Sequence, residues 1–130
     1  MKNNLKTLLL ICILIPLLAC SQESKETQEL IGTWKLDMSP QDTTDNNFAM
    51  MRIEKISGDS FEGTFYREGV KLTNGKLNTQ RGIVYGALVS GDNSGSYNTS
   101  FYLKDGKLYG STHAIDRNFL AVWIATKTGD

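Results

Sequence analysis

Cysteine is nearly absent from this chain of 130 residues: Cys12 and Cys20 are the only two, and none lies between Ser21 and Asp130. Over that stretch a disulfide scaffold, a thiolate metal site and a cysteine nucleophile are excluded. Histidine is rarer still. His113 stands alone, so any Ser/His/acid relay has to run through it. Charge of one sign is also lacking, with 14 basic side chains against 14 acidic ones. The positive field behind most non-specific nucleic-acid affinity is missing, and no nucleic-acid partner is expected. No apolar run is long enough to cross a membrane as a helix; Leu8 to Leu18, interrupted by Cys12 and Pro16, is too short. What is present is 40% hydrophobic and 9% aromatic residues, too much for a disordered chain, at a length that fits one domain.

The amino terminus carries the most specific pattern. Lys2 and Lys6 form a positive segment, Leu8 to Leu18 an apolar one, and Leu17, Leu18, Ala19, Cys20 follow. This series resembles the lipobox of bacterial lipoproteins, with a branched apolar residue three positions before a cysteine and a small residue just before it. The resemblance implies a signal peptide over 1–19, cleavage after Ala19, a lipid on the Cys20 sulfur and an acylated amine, so that the membrane is a partner through the lipid. Leu18 departs from the commoner Ala or Ser. The competing reading is an ordinary secreted protein with a free Cys20. Ser21 resembles the sorting signal for the outer membrane, and the acidic residues behind it resemble signals that send some lipoproteins to the cell surface, which implies an envelope location, periplasmic or surface-exposed. The polar segment SQESKETQEL, with three Glu and no Gly or Pro, reads as a solvated tether, so that 20–30 is lipidated cysteine plus tether and 31–128 is the domain.

That domain punctuates as all-β. Glycines recur at 58, 63, 69, 75, 82, 86, 91, 95, 106 and 110, with short β-branched and aromatic segments between them. Alternation places Trp34, Leu36 and Met38 on one face of a first strand, Met51 and Ile53 on one face of a second (Phe48 to Ile56), and Phe61, Gly63 and Phe65 on one face of a third. Five further strands are expected at Val70 to Leu77, Ile83 to Val89, Tyr97 to Lys104, Lys107 to Ile115 and Phe119 to Thr126. Asp105-Gly106 is a tight-hairpin signature; Asn74-Gly75 is either a second turn or a bulge. Eight short strands with one apolar face each predict a closed antiparallel up-and-down barrel, the alternative being a two-sheet sandwich.

Gly32-Thr33-Trp34 at the head of the first strand is similar to the Gly-x-Trp motif of lipocalins, avidins and related calycin-type barrels. The closing segment, Ala121 to Lys127, resembles the Trp-x-Ala-x-Lys/Arg ending of small lipocalin-like domains in bacterial lipoproteins. The resemblance implies that Trp34 plugs one end of the barrel and that a cation packs across it, with Lys127 or Arg117 as candidates. A full lipocalin is longer, with a helix after the barrel, and biotin sites use more tryptophans than the two here.

Function is less legible. With the first three strands turned inward, Leu36, Met38, Met51, Ile53, Phe61 and Phe65 point to one space, and Gly63 and Gly86 would leave room in it. A small, mainly apolar molecule bound in the barrel mouth is the first expectation. The rival is a filled barrel that docks an envelope protein through its outer face, signalled by aromatic residues on both parities of their strands. Third is an enzyme at the rim, using His113, Asp116 and Arg117, although a structural histidine and a polar turn account for the same residues. No enzymatic activity and no cofactor are expected. Asp92-Asn93-Ser94-Gly95 has oxygen ligands for calcium but lacks the later carboxylate, so it reads as a turn, and no metal is expected. Glu62 and Glu68 have no spacing that brings them together.

Overall fold

The computed structural model describes residues 24–42, 44, 46–67 and 69–130. Cys12, Cys20 and the signal segment lie outside them, as does Glu68. A helical turn, α1 (Lys25–Gln28), is followed by β1 (Gly32–Asp37), β2 (Phe48–Ser57), β3 (Ser60–Tyr66), β4 (Thr73–Asn78), β5 (Tyr85–Asp92), β6 (Gly95–Lys104), β7 (Lys107–Ala114), a 3-10 turn (Ile115–Arg117) and β8 (Phe119–Gly129). Each strand pairs antiparallel with the next, and β8 returns to β1, closing an eight-stranded up-and-down barrel. The sandwich alternative fails on that closure.

Local chemistry explains the connections. Asp105 and Gly106 both take positive φ (52° and 73°), the conformation of a two-residue primed turn, and seat Lys104 opposite Lys107. Asn74, at φ 53°, is a bulge inside β4 rather than a hairpin turn, because the register with β5 shifts between Thr73 and Lys76. The expected strand from Val70 is correspondingly shorter. Val70 and Lys71 lie in a connection tied to β3 only by the Thr64 to Lys71 bridge and backbone bonds such as Phe65 N–H to Val70 O at 3.0 Å. Between β3 and β4 themselves only Ser60 with Lys76 and Phe61 with Gly75 are in register.

Burial follows the expected parity. Along β1 to β3, Trp34, Leu36, Met51, Ile53, Phe61 and Phe65 point inward and Arg52, Glu54 and Glu62 outward. One core cluster runs through the barrel and includes Leu72, Leu77, Val84, Leu88, Phe101, Leu108 and Trp123.

The tether ends earlier than Leu30. Ser24 caps α1, accepting from the Thr27 N–H at 3.3 Å, and Thr27 and Leu30 are buried, Leu30 fully. The polar composition of this segment hid a single apolar side chain that closes one barrel end. There the Trp34 Nε1–H donates to the Leu30 carbonyl at 2.8 Å. Lys127 Nζ sits 5.9 Å from the Trp34 ring centroid and donates to the Glu29 carbonyl at 3.1 Å. Trp34 is buried at this end of the barrel, and the cation beside its ring is Lys127. Arg117 lies at the opposite end of the barrel, beside Tyr97.

Candidate functional site

Inside the barrel, five of the six candidate lining residues, Leu36, Met51, Ile53, Phe61 and Phe65, are buried in the core, and Met38 is half-buried against it. All six belong to or pack against one core cluster. The room attributed to Gly63 and Gly86 is absent, however. A Cβ at Gly63 would collide with the Arg52 carbonyl, because β2 and β3 approach backbone to backbone there. One at Gly86 would enter the Phe101 ring, which covers that glycine. Glycine in a strand marks either space or close approach, and here it is close approach. Rings take up the interior: Phe61 packs edge-on to Phe101 at 6.1 Å, Phe101 on Trp123 at 6.5 Å and Trp123 on Phe65 at 6.3 Å. Trp123 is held by its Nε1–H to Thr112 Oγ1 at 3.0 Å, with Thr99 completing a buried trio. A hollow of about 10 Å³ lies at the barrel end opposite Trp34, lined by Phe65, Tyr66, Arg67, Val70, Ser90, Gly91, Asp92 and Tyr97. The Ser90 hydroxyl is buried without a partner among the described residues.

The outer face of β5 to β8 is different. Tyr85 stands opposite Tyr102, Tyr102 opposite Tyr109, and Tyr109 opposite Ile124, one side chain from each strand. Tyr102 and Tyr109 stack at 5.3 Å and 15°, and Tyr85 leans on Tyr102 at 6.1 Å. Two positions along, the same strands present Ala87, Ser100, Ser111 and Val122, and two further along Val89, Asn98, His113 and Leu120. The row of small side chains between two rows of larger ones makes a trough. On the tyrosine side its hollow measures about 870 Å³, ending at Pro40 on one side and at Lys76 and Asp59 on the other. On the His113 side it measures about 410 Å³. Val122 and Leu120, at 60% and 61% exposure, extend an apolar surface along β8.

Polar candidates at the barrel end opposite Trp34 satisfy one another. Asp92 accepts from the Ser94 hydroxyl and backbone N–H, and from the Tyr97 hydroxyl at 3.1 Å. The Ser94 hydroxyl bond holds the Asp92 carboxyl below its ordinary range. The Tyr97 hydroxyl beside Arg117 holds its guanidinium pKa above the ordinary value. Asp116 lies against Gly95, and His113 is exposed on the trough wall, so the three rim candidates do not form one constellation. Tyr66 stacks on Tyr97 at 5.7 Å with a positive φ of 79°, a conformation that bulky residues rarely adopt. Among the described residues, no three His, Cys, Asp or Glu side chains gather as a metal site.

No family model, curated protein or solved structure matches this chain. The site therefore has to speak through its own residues. The tyrosine row is the feature that sequence reasoning left unresolved: aromatic residues fall on both parities of their strands, and only the pairing of distant strands aligns these three.

Proposed function

We propose that this chain is a non-enzymatic docking module of the bacterial envelope, resembling the small lipocalin-like barrels and tethered by a lipid on Cys20, whose outer β5 to β8 face holds a partner protein. The observation that carries the reading is a barrel filled by its own rings beside a large outer trough walled by stacked tyrosines. Ligand pockets usually enclose about 300 Å³ or more, whereas in this barrel Phe61, Phe101, Trp123 and Phe65 pack on one another across the interior. An apolar ligand inside the barrel is the weaker reading for that reason. Tyrosine supplies large, rigid contact area at low entropic cost, which is why it is enriched at interfaces. The envelope and lipid elements rest on the lipobox-like series ending at Cys20. The Trp34 plug with Lys127 across it supports the lipocalin-like reading.

The test is photo-crosslinking in the protein's own cells, with a benzophenone amino acid at position 102 or, on the opposite wall, at position 62. One discrete protein partner from position 102, absent from 62 and lost when Ser100→Arg fills the trough, is expected. Equal capture from both positions, or none from either, refutes the docking face.

A further inference from the structure

Granted the lipid on Cys20, which belongs to the reading above, the chain between that residue and the barrel is short enough to restrict which surface meets the bilayer. We propose that the Trp34 end of the barrel is a membrane-contact surface, and that the half of its rim built from the β4–β5 and β6–β7 connections rests on anionic lipid headgroups.

Up-and-down order places the start of β1, the β2–β3, β4–β5 and β6–β7 connections and the end of β8 at one end of the barrel, and the other connections at the far end. The chain from Ser24 onward is fastened to the first of these. Ser24 caps α1, Thr27 and Leu30 are buried, and the Glu29 carbonyl accepts from Lys127 Nζ. Four peptide steps separate Cys20 from Ser24, and they span about 14 Å at most when extended. The barrel is taller than that. The ten residues of β6, at about 3.3 Å each and tilted by about 40°, rise about 25 Å along its axis. With the far end on the bilayer, Ser24 would lie beyond the reach of a lipid on Cys20, whereas the Trp34 end and the side walls stay within it.

Charge selects the end over the walls. On the β4–β5 (79–84) and β6–β7 half of the rim Arg81, Lys104 and Lys107 are exposed, with Asp105 the one acid among them. Among the described residues none of these three cations is in an ion pair, unlike Lys76 with Asp59 and Lys127 with Asp130 at the same end. Lys104 and Lys107 stand directly opposite each other, a like-charge pairing that is destabilising in a sheet and is relieved beside a negative surface. Ile83, 40% exposed, lies two residues from Arg81 in the same connection. Cations around an exposed aliphatic side chain suit the anionic headgroups and acyl boundary of a bilayer. The α1 turn, with Glu26 and Glu29 against Lys25, adds no positive charge, so the contact lies on this half of the rim. The walls lack the combination: the three rows of the β5 to β8 trough carry no Asp, Glu, Lys or Arg, and on β2 Arg52 is paired with Glu54.

The experiment places the full chain, purified with its lipid, in nanodiscs of phosphatidylcholine with or without phosphatidylglycerol that contain a lipid with a gadolinium-chelating headgroup. Amide line broadening is read at Gly82 and Gly106 on the rim, at Ser100 on the wall and at Ser94 at the far end. With phosphatidylglycerol, Gly82 and Gly106 are expected to broaden severalfold more than Ser100, and Ser94 least. Each cation near an anionic surface shifts such a balance about fivefold, so Lys104→Glu with Lys107→Glu, or omission of phosphatidylglycerol, should bring Gly82 and Gly106 down to the level of Ser100. Lys71→Glu, at the far end, should change nothing. Broadening strongest at Ser94, or rim broadening that ignores both the lipid charge and the lysine substitutions, overturns the contact surface. Either result with an acylated Cys20 by mass spectrometry leaves the anchor standing and removes only the contact; an unmodified Cys20 removes both.

Discussion

Removing the Trp34 side chain tests whether the barrel is plugged as described. Trp34 is 1% exposed, and its ring lies between Leu30 and Lys127. A tryptophan buries roughly 150 to 250 Å², which at about 25 cal/mol per Å² is an upper estimate of roughly 4 to 6 kcal/mol. Core truncations of large aromatics cost about 3 to 5 kcal/mol, so Trp34→Ala is expected to lose that much. Domains of this size have roughly 5 to 15 kcal/mol in total, and the variant should be marginal. Trp34→Phe keeps most of the area but takes the Nε1–H from the buried Leu30 carbonyl, for which about 1 to 3 kcal/mol is expected. Urea unfolding followed by far-ultraviolet circular dichroism measures both. A loss under about 1 kcal/mol for Trp34→Ala, or a Trp34→Phe variant as stable as the parent, refutes the plug.

Three further outcomes are expected. Cys20→Ser should move the protein from the membrane fraction to the soluble one or block its processing, and mass spectrometry finding an unmodified Cys20 or retained Met1 to Ala19 in the native protein counts against the lipid anchor. Ser90→Ala should stabilise the fold by about 1 kcal/mol, since it deletes a buried hydroxyl with no partner among the described residues; a destabilised variant in the same urea assay contradicts that. The Asp92 carboxyl should titrate below the usual carboxylate range by NMR, so its contribution to stability is present above the unfolded-state pKa and lost as pH falls through the lower folded value. Ser94→Ala should raise that midpoint, and an unchanged midpoint counts against the Ser94 hydroxyl as its cause.

Much of the fold was legible because its signals are local. Alternation around Trp34, Met51 and Phe65 fixes which face turns inward, and Asp105-Gly106 needs only its own backbone preferences to define a hairpin. Lys127 could be paired with Trp34 by resemblance, with Arg117 as the competitor, but only closure of β8 onto β1 decides between them. Gly63 and Gly86 were ambiguous for a physical reason: a missing side chain reads the same in sequence whether it leaves a cavity or admits the Arg52 backbone or the Phe101 ring. Leu30 was concealed by its polar neighbours. The trough depends on a register shared by four strands, and the sequence offers Tyr85, Tyr102 and Tyr109 only as separate aromatic residues.

The thin stitching between β3 and β4 governs how the barrel breathes. Opening free energies within one domain range from nearly zero to the full stability, and the segments with fewest backbone bonds open first. With two registered pairs and one isolated bridge, this seam is where amide hydrogens should exchange earliest, while the β5 to β8 wall, paired along its whole length, exchanges near the global limit. The motions that transiently bare Phe61 and Phe65 therefore begin at a seam that only β4 separates from the tyrosine wall, and the proposed docking face stays rigid while its neighbouring seam opens and closes.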